Sequence, residues 1–382
     1  MSKMIENIFK IYLKVLSECF KLISEGEGTM KPNIKQLSEL TGFSPATVSN
    51  ALNRKKTVNP ETASKIWQAA QQAGYRQSTR ISKIRLVVCR KHGQIVNDSP
   101  FFSSLISGVE SECRRLGFST IISHLDWSAS DFDNQLAQIL HDRTAANLIL
   151  ATEFNEDDAQ QFASAQTPLV LLDCWLEAMD YDTVSIDNTD STFIATSYLI
   201  RKGHTRIGYL KSATEIQNFR FREYGYRRAM LRYELNMDPA NTLVLDPSMD
   251  GSRKDLCDYL AQQPQLPTAF VADNDNIALG ACKALQDAGY RIPEDVSVIG
   301  FDDMPFCEIA SPPLTTVRVF KQEMGAAAVR RLADVLNGEL VIRAKIQICT
   351  EFIERASVKD INQETANNNG EKNNGKSESQ DV

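Results

Sequence analysis

The sequence predicts an α/β protein in which a small helical headpiece precedes a larger body of doubly wound parallel sheets. Three observations carry this. Between residues 84 and 357 short apolar runs alternate with amphipathic stretches, as expected of βα repetition with strands buried on both faces. The alternation runs through one half and then begins again, which makes two lobes with a cleft between them. Ahead of it, residues 34–75 read as three short helices with two capped breaks.

In the headpiece Ile34, Leu37 and Leu40 form one apolar stripe. Thr41-Gly42-Phe43 is a tight break, because Gly42 takes a positive φ without steric cost. Ser44 caps a second helix whose first position is Pro45, where a missing N–H costs nothing. Val48, Ala51 and Leu52 make its buried face. Asn59-Pro60 repeats the device, Ile66, Ala69, Ala70 and Ala73 line the third helix, and Gly74 ends it. Helix, short turn, helix is the layout that sets a second helix into a DNA major groove.

Charge points the same way. From Met30 to Arg85 there are ten basic and two acidic residues, a net +8 within a chain of net charge -7. A basic module on an acidic body suits phosphate neutralisation. The pattern Ser44-x-x-Thr47-Val48-Ser49-x-x-Leu52-Asn53, closed by Gly74-Tyr75, resembles the headpiece of LacI/GalR-family transcription regulators. By that resemblance Pro45, Ala46 and Asn50 read base edges, and Ser44, Thr47, Ser49 and Asn53 touch the DNA backbone. Pro45 and Ala46 can meet thymine methyls but cannot hydrogen-bond to a base, whereas Asn50 can pair with adenine. The family more often carries a basic residue at Asn50, so an uncommon operator is expected.

In the body the predicted strands are 86–89, 119–123, 148–151 and 169–172, the last closing the first half, then 207–210, 243–245, 269–272 and 296–299. Helices are expected at 103–116, 131–140, 156–165, 192–200, 223–235, 256–260 and 277–285. Ligands of such sheets sit at the carboxyl ends of the strands. Val184-Ser185-Ile186-Asp187-Asn188, Arg222-x-x-Gly225-Tyr226, Asn274-Asp275-x-x-Ala278-x-Gly280 and the run 292–303 again resemble the LacI/GalR family and the related sugar-binding periplasmic proteins. The resemblance covers roughly residues 31–357. It implies a two-lobed, type I periplasmic-binding-protein-like effector domain in which Arg222 and Asp275 bind the effector. Their chemistry suits a polyol, since a guanidinium donates from a rigid fork and a carboxylate accepts hydroxyl hydrogens. Ser99, Phe101 and Phe102 hold the matching place in the other half, where a ring can cover the apolar face of a sugar or base. Asn274 reads as a helix cap, Asp302 as a loop anchor or a ligand contact, and Trp175 as a rim residue.

The organisation expected is an extension at 1–29, the headpiece at 30–75, a hinge at 76–83, the effector-binding and dimerisation domain at 84–357, and a tail at 358–382. The hinge is shorter than the family's and lacks its leucine wedge, leaving Arg76, Arg80, Lys83 and Arg85 for phosphates or a narrow minor groove. Residues 4–23 are amphipathic, but Lys10, Lys14, Glu18 and Lys21 interrupt the run, so neither a membrane span nor a signal core fits. The extension is either an added contact helix or upstream of a working start at Met30. The tail is too polar to order itself.

Eight scattered Cys without a CxxC pair indicate reduced thiols of a cytoplasmic protein, and four separated His suggest no metal cluster. No glycine-rich phosphate loop and no nucleophile–base–acid set is present, so neither a cofactor nor an enzyme is expected. The expectation is therefore a homodimeric regulator, in the first place a repressor, of double-stranded operator DNA. A sugar or sugar phosphate controls it, and no membrane is involved. The alternative is a sugar-sensing module with weak or atypical DNA binding.

Overall fold

A computed structural model of the chain describes residues 34–52, 58–73, 81–96, 100–338 and 342–362. The chain divides at residues 80/81 into two units, which are described separately.

The first unit holds three helices: α1 (Ile34–Thr41), α2 (Pro45–Leu52) and α3 (Pro60–Gln72). Gly42 breaks the chain between α1 and α2 at φ 72°. Leu37, Val48, Ala51, Leu52, Ile66 and Ala70 form the core, with Phe43 and Trp67 packed against it. Trp67 Nε1 donates to the Ala51 carbonyl at 3.2 Å, tying α3 to α2. Leu40, expected on the apolar stripe, is instead 65% exposed. At i+3 from Leu37 it falls beyond the edge of so small a core. Asn53, the 54–56 basic run, Gly74, Tyr75, Arg76, Arg80, the 1–29 extension and the tail beyond residue 362 lie outside the described residues, as does Ser99 in the body.

The second unit has two lobes. One contains a six-stranded, all-parallel sheet built from β1 (Lys83–Arg90), β2 (Ser119–Asp126), β3 (Ala145–Leu150), β4 (Leu169–Leu172), β5 (Thr183–Ile186) and β11 (Lys345–Ile348). Their order across the sheet is β11-β5-β4-β3-β1-β2. Helices α4 (Pro100–Leu116), α5 (Phe132–His141), α6 (Glu156–Gln160) and α12 (Lys321–Asn337) belong to this lobe. Strands β3, β4 and β5 are buried at every position; β4 accordingly reads as an unbroken apolar run, whereas β3 and β5 also bury Asn147, Thr183 and Ser185.

The other lobe has a four-stranded parallel sheet in the order β7-β6-β8-β9. Its strands are β6 (Ile207–Ser212), β7 (Thr242–Leu245), β8 (Ala269–Ala272) and β9 (Ser297–Ile299). With them come α7 (Asn188–Arg201), α8 (Gln217–Arg232), α9 (Met249–Leu260), α10 (Asp275–Asp287) and α11 (Phe306–Ile309). A short antiparallel ribbon, β10 (Thr316–Arg318) with β12 (Glu351–Ile353), carries two of the passages between lobes.

The first half thus does not close at Leu172. The chain adds β5, crosses over after Ile186, and later returns α12 and β11 to the first lobe. The helix expected at 156–165 ends at Gln160.

Each sheet has one point where the strand order reverses. In the first, β1 is followed by β2 on one side and β3 on the other; in the second, β6 is followed by β7 and then β8. Crevices at the carboxyl ends of such strands are where ligands bind.

Candidate functional site

Ser44 Oγ accepts the Thr47 backbone N–H at 3.1 Å and lies 2.8 Å from Thr47 Oγ1, so Ser44 caps α2 as its position demands. Pro45 and Ala46 are exposed on the first turn, while Thr47, Ser49 and Asn50 are half-buried. The opposite face of α2, Val48, Ala51 and Leu52, is buried. The arrangement leaves small side chains and the amino end of a capped helix on the outer surface.

In the second unit the two reversal points face a common cavity of about 530 Å³, its open mouth included. Gln94, Ile95, Phe101, Phe102, Thr152 and Asp173 line it from the first lobe, and Asn218, Phe219, Arg222, Asn274, Asn276 and Asp302 from the second. The 91–96 loop after β1 is fixed by one buried carboxylate. Glu153 accepts backbone N–H groups from Lys91, His92, Gly93, Ile95 and Val96 at 2.8–3.3 Å. Burial alone would raise this carboxyl, but the backbone donors outweigh it and hold Glu153 below the usual range. The loop so held presents Gln94, whose side-chain oxygen accepts the Thr214 hydroxyl of the other lobe.

Arg222 is 2% exposed and knits the second lobe together. It donates from Nε to Asn188 at 2.8 Å, from Nη1 to the Asp273 carbonyl at 2.6 Å, and from Nη2 to Asp302 at 3.4 Å. Its guanidinium lies 3.7 Å from the centroid of the Phe301 ring. Opposite, Asp173 accepts from Thr152 Oγ1 at 2.7 Å and from Asn218 Nδ2 at 3.0 Å. Burial pushes Asp173 up to about 6, against the pull of the Thr152 hydroxyl and Arg222. Asp302 is also raised by burial, although Arg222 and Lys321 oppose it.

Asp275 is fully buried and is not brought to the cavity wall. Its carboxylate accepts from Thr316 Oγ1 at 2.6 Å and from the Met304 N–H at 2.8 Å, so it anchors the 301–304 turn that carries Asp302. Burial, and then the negative charge of Asp302, push it up to about 7. Asn274 accepts the Ile277 N–H at 3.0 Å and caps α10, and its side chain also reaches the cavity. Phe101 and Phe102 meet edge to face at 5.1 Å on the first turn of α4. Asp302 both pairs with Arg222 and lines the cavity.

Asp173, Asn218, Glu153, Gln94 and Asp273 escaped sequence reasoning. Two of them had a visible signal: Asp173 and Asp273 each follow directly on a fully buried four-residue strand. Asp273 sits behind the wall, accepting from Tyr209 Oη at 2.5 Å and from the Ser212 N–H at 2.6 Å. Burial pushes it up to about 7. Among the described residues no cluster of three or more His, Cys, Asp or Glu could hold a metal ion, and no helix is long and apolar enough to cross a membrane.

Comparison with known proteins is consistent with this geometry. Residues 196–358 match the model of the periplasmic binding protein-like domain. The HTH-type transcriptional repressor PurR of Pasteurella multocida is 30% identical over 331 residues, which cover 85% of this chain and 98% of the relative. Among solved structures, a transcriptional regulator CelR–cellobiose complex superposes with a TM-score of 0.66 at 26% identity, covering 85% of this chain and 99% of that one. The lac repressor dimer bound to operator and the anti-inducer ONPF superposes with a TM-score of 0.61 at 22% identity, covering 86% and 99%, and shares the fold. With such similarity to a repressor along nearly the whole of that relative's length, the chain belongs to the LacI/GalR family of sequence-specific DNA-binding transcriptional regulators.

Proposed function

We propose that the protein is a homodimeric repressor that reads a palindromic operator with α2 and is controlled by a small sugar-like effector held between the two lobes. The observation that carries the effector reading is the cavity at the two facing reversal points, where Arg222, Asp173, Asp302 and Asn218 converge with Phe101, Phe102 and Phe219. Polar groups beside ring faces match the two-sided surface of a sugar, hydroxyls at its edge and C–H bonds on its faces. The CelR relative was solved with cellobiose, and another relative, from Enterococcus faecium, with ribose. In this reading Arg222 contacts the effector. Asp275 acts one residue further in, by fixing the turn that presents Asp302. Phe101 and Phe102 form the facing wall, and Ser99 keeps the effector-binding role that the family resemblance gives it. Pro45, Ala46 and Asn50 read bases, and Ser44, Thr47, Ser49 and Asn53 position the headpiece on phosphates. The domains in this reading are the extension 1–29, the headpiece 30–75, the hinge 76–83, the effector-binding domain 84–357 and the tail 358–382, although β1 already begins at Lys83.

A two-fold dimer fits the reading because one three-helix headpiece reads only a few base pairs, and a palindrome doubles its contacts. The short 76–83 linker supports the second reading, an effector sensor that binds DNA weakly. The test is fluorescence anisotropy with the palindrome upstream of the gene and with scrambled DNA, across salt and with added sugars. Specific binding should fall by roughly a hundredfold or more between 50 and 200 mM salt and should shift when effector is added. Equal affinity for both sequences overturns the operator reading in favour of the second.

A further inference from the structure

We propose that the outer face of α8 is a self-complementary docking surface for a second copy of this chain, paired antiparallel about a two-fold axis at the middle of the helix. The first argument is the make-up and spacing of that face. Eleven large apolar side chains are exposed among the described residues, and four of them, Ile194, Tyr224, Leu231 and Tyr233, lie on α7, on α8 or at its end. On α8 the exposed residues Arg220, Tyr224, Arg227 and Leu231 recur at i, i+4, i+7 and i+11, which makes one straight stripe along the helix. Phe193 of α7 borders it, with the Arg228 guanidinium 4.5 Å from its ring centroid. Tyrosine and arginine among apolar side chains are what protein contact surfaces are rich in.

The second argument is charge. Arg220 stands in the first turn of α8, where the helix dipole disfavours a cation, and Glu234 follows the last turn, where it disfavours an anion. The carboxylates Glu156 and Glu177 lie beside the amino end, and Arg232 is exposed at the carboxyl end. Arg220, Arg232, Glu177 and Glu234 have no ion pair among the described residues. A reversed copy answers each of them. Arg220 meets the partner's Glu234, Arg232 meets the partner's Glu156 and Glu177, and Tyr224 meets the partner's Leu231. At the axis Arg227 faces its own copy, but Glu223 accepts from each Arg227 at 2.9 and 2.6 Å and balances its charge. A parallel pairing would instead set Arg220 against Arg220 and Arg232 against Arg232, which repel.

The third argument is shape. A groove of about 1040 Å³, its open side included, lies beside the amino end of α8 and is lined by Glu156, Glu177, Thr189, Phe221 and Tyr224. The reversed copy brings its Leu231 and Tyr233 to this groove. The topology leaves room for the contact. The chain steps one way across the second sheet from β6 to β7, and the other way from β7 to β8 and β9. Right-handed crossovers therefore set α8 on one face of the sheet and α9 and α10 on the other. A contact through α8 leaves that other face and the first lobe free, so it joins dimers into a dimer of dimers. One helix pair is a small contact, and the association is correspondingly weak and concentration-dependent.

The test is sedimentation equilibrium of the full chain. At roughly 100 μM the particle mass should be twice that of the Leu231→Glu variant, and it should fall to the variant's value on dilution to about 1 μM. Arg220→Glu and Glu234→Arg should each weaken the association on the order of tenfold. Together they should restore it to within about threefold of the unmodified chain, because each reversed charge again faces its opposite on the partner. Neither a folding defect nor a contact elsewhere on the surface produces that rescue. Equal masses for the chain and the Leu231→Glu variant at roughly 100 μM, or a double variant no stronger than the singles, overturn the inference. The operator and effector readings do not depend on the result.

Discussion

The sequence singles out Arg222 as an expected ligand contact, but its structural duties were not legible there. Its side chain closes the 301–302 turn onto α8, and Asp302 depends on it for charge balance. Arg222→Ala should therefore destabilise the body by about 3 kcal/mol, because a buried carboxylate loses its cation. Pairing it with Asp302→Asn should restore part of the loss. Thermal unfolding of both checks this, and an Arg222→Ala protein that melts within roughly 2 °C of the unmodified chain would refute it. The buried acids also set the pH response. Asp273 is raised to about 7, so the folded state binds its proton more tightly than the unfolded chain does. Its contribution is complete below the unfolded value near 4 and is lost as pH rises through about 7. His204, held low by burial, works in the opposite direction over part of this window. Asp273→Asn isolates the acid: the stability gap between the chain and this variant should narrow from pH 5 to pH 8. A constant gap would show that the carboxyl does not titrate there. Sequence pattern could not rank these acids, because their role comes from a partner some 50 to 130 residues away, as with Arg222 on the Asp273 carbonyl or Asp173 across from Asp302.

The contact between α4 and α12 shows what an element needs from small residues. A methyl group at Gly325 would run into the Leu105 carbonyl oxygen and the Val109 N–H, and one at Gly108 would meet the backbone of Gln322. The two helices touch backbone to backbone at reciprocal glycines. Gly325→Ala should cost about 1–3 kcal/mol through overpacking, despite the better helix propensity of alanine. Denaturant unfolding measures this, and an unchanged or raised midpoint would mean that the helices can separate cheaply. Element types in the two cores were readable where a strand is a wholly apolar run, as in 169–172 and 269–272, and where a helix is amphipathic. The bounds of 169–172 and 269–272 coincide with those observed. Strands β5, β10, β11 and β12 were missed because they have only three or four residues and mix polar with apolar side chains, too short a stretch to show a pattern. Helix α12 does carry a pattern, with Met324, Ala328, Val329 and Leu332 buried, yet its return to the first lobe is a fact of topology that periodicity does not encode.

At the scale of the molecule, the family-like pattern begins near Met30, and the 1–29 segment precedes it. A chain starting at Met30 should bind operator with unchanged affinity and remain dimeric. Weaker binding or dissociation in light scattering would show that the extension belongs to the working protein. The return of α12 and β11 to the first lobe has a consequence for biosynthesis. A ribosome delivers β1 to β5 early, but the sheet edge at β5 and the α4 surface around Leu105 and Val109 stay uncovered until residues 321–348 emerge. The sheet of the first lobe is thus completed after that of the second, reversing the order of translation, while residues 356–361 then return to the second lobe. A nascent chain interrupted near residue 320 carries an open strand edge and an apolar helix face together, the combination that recruits chaperones or seeds aggregates.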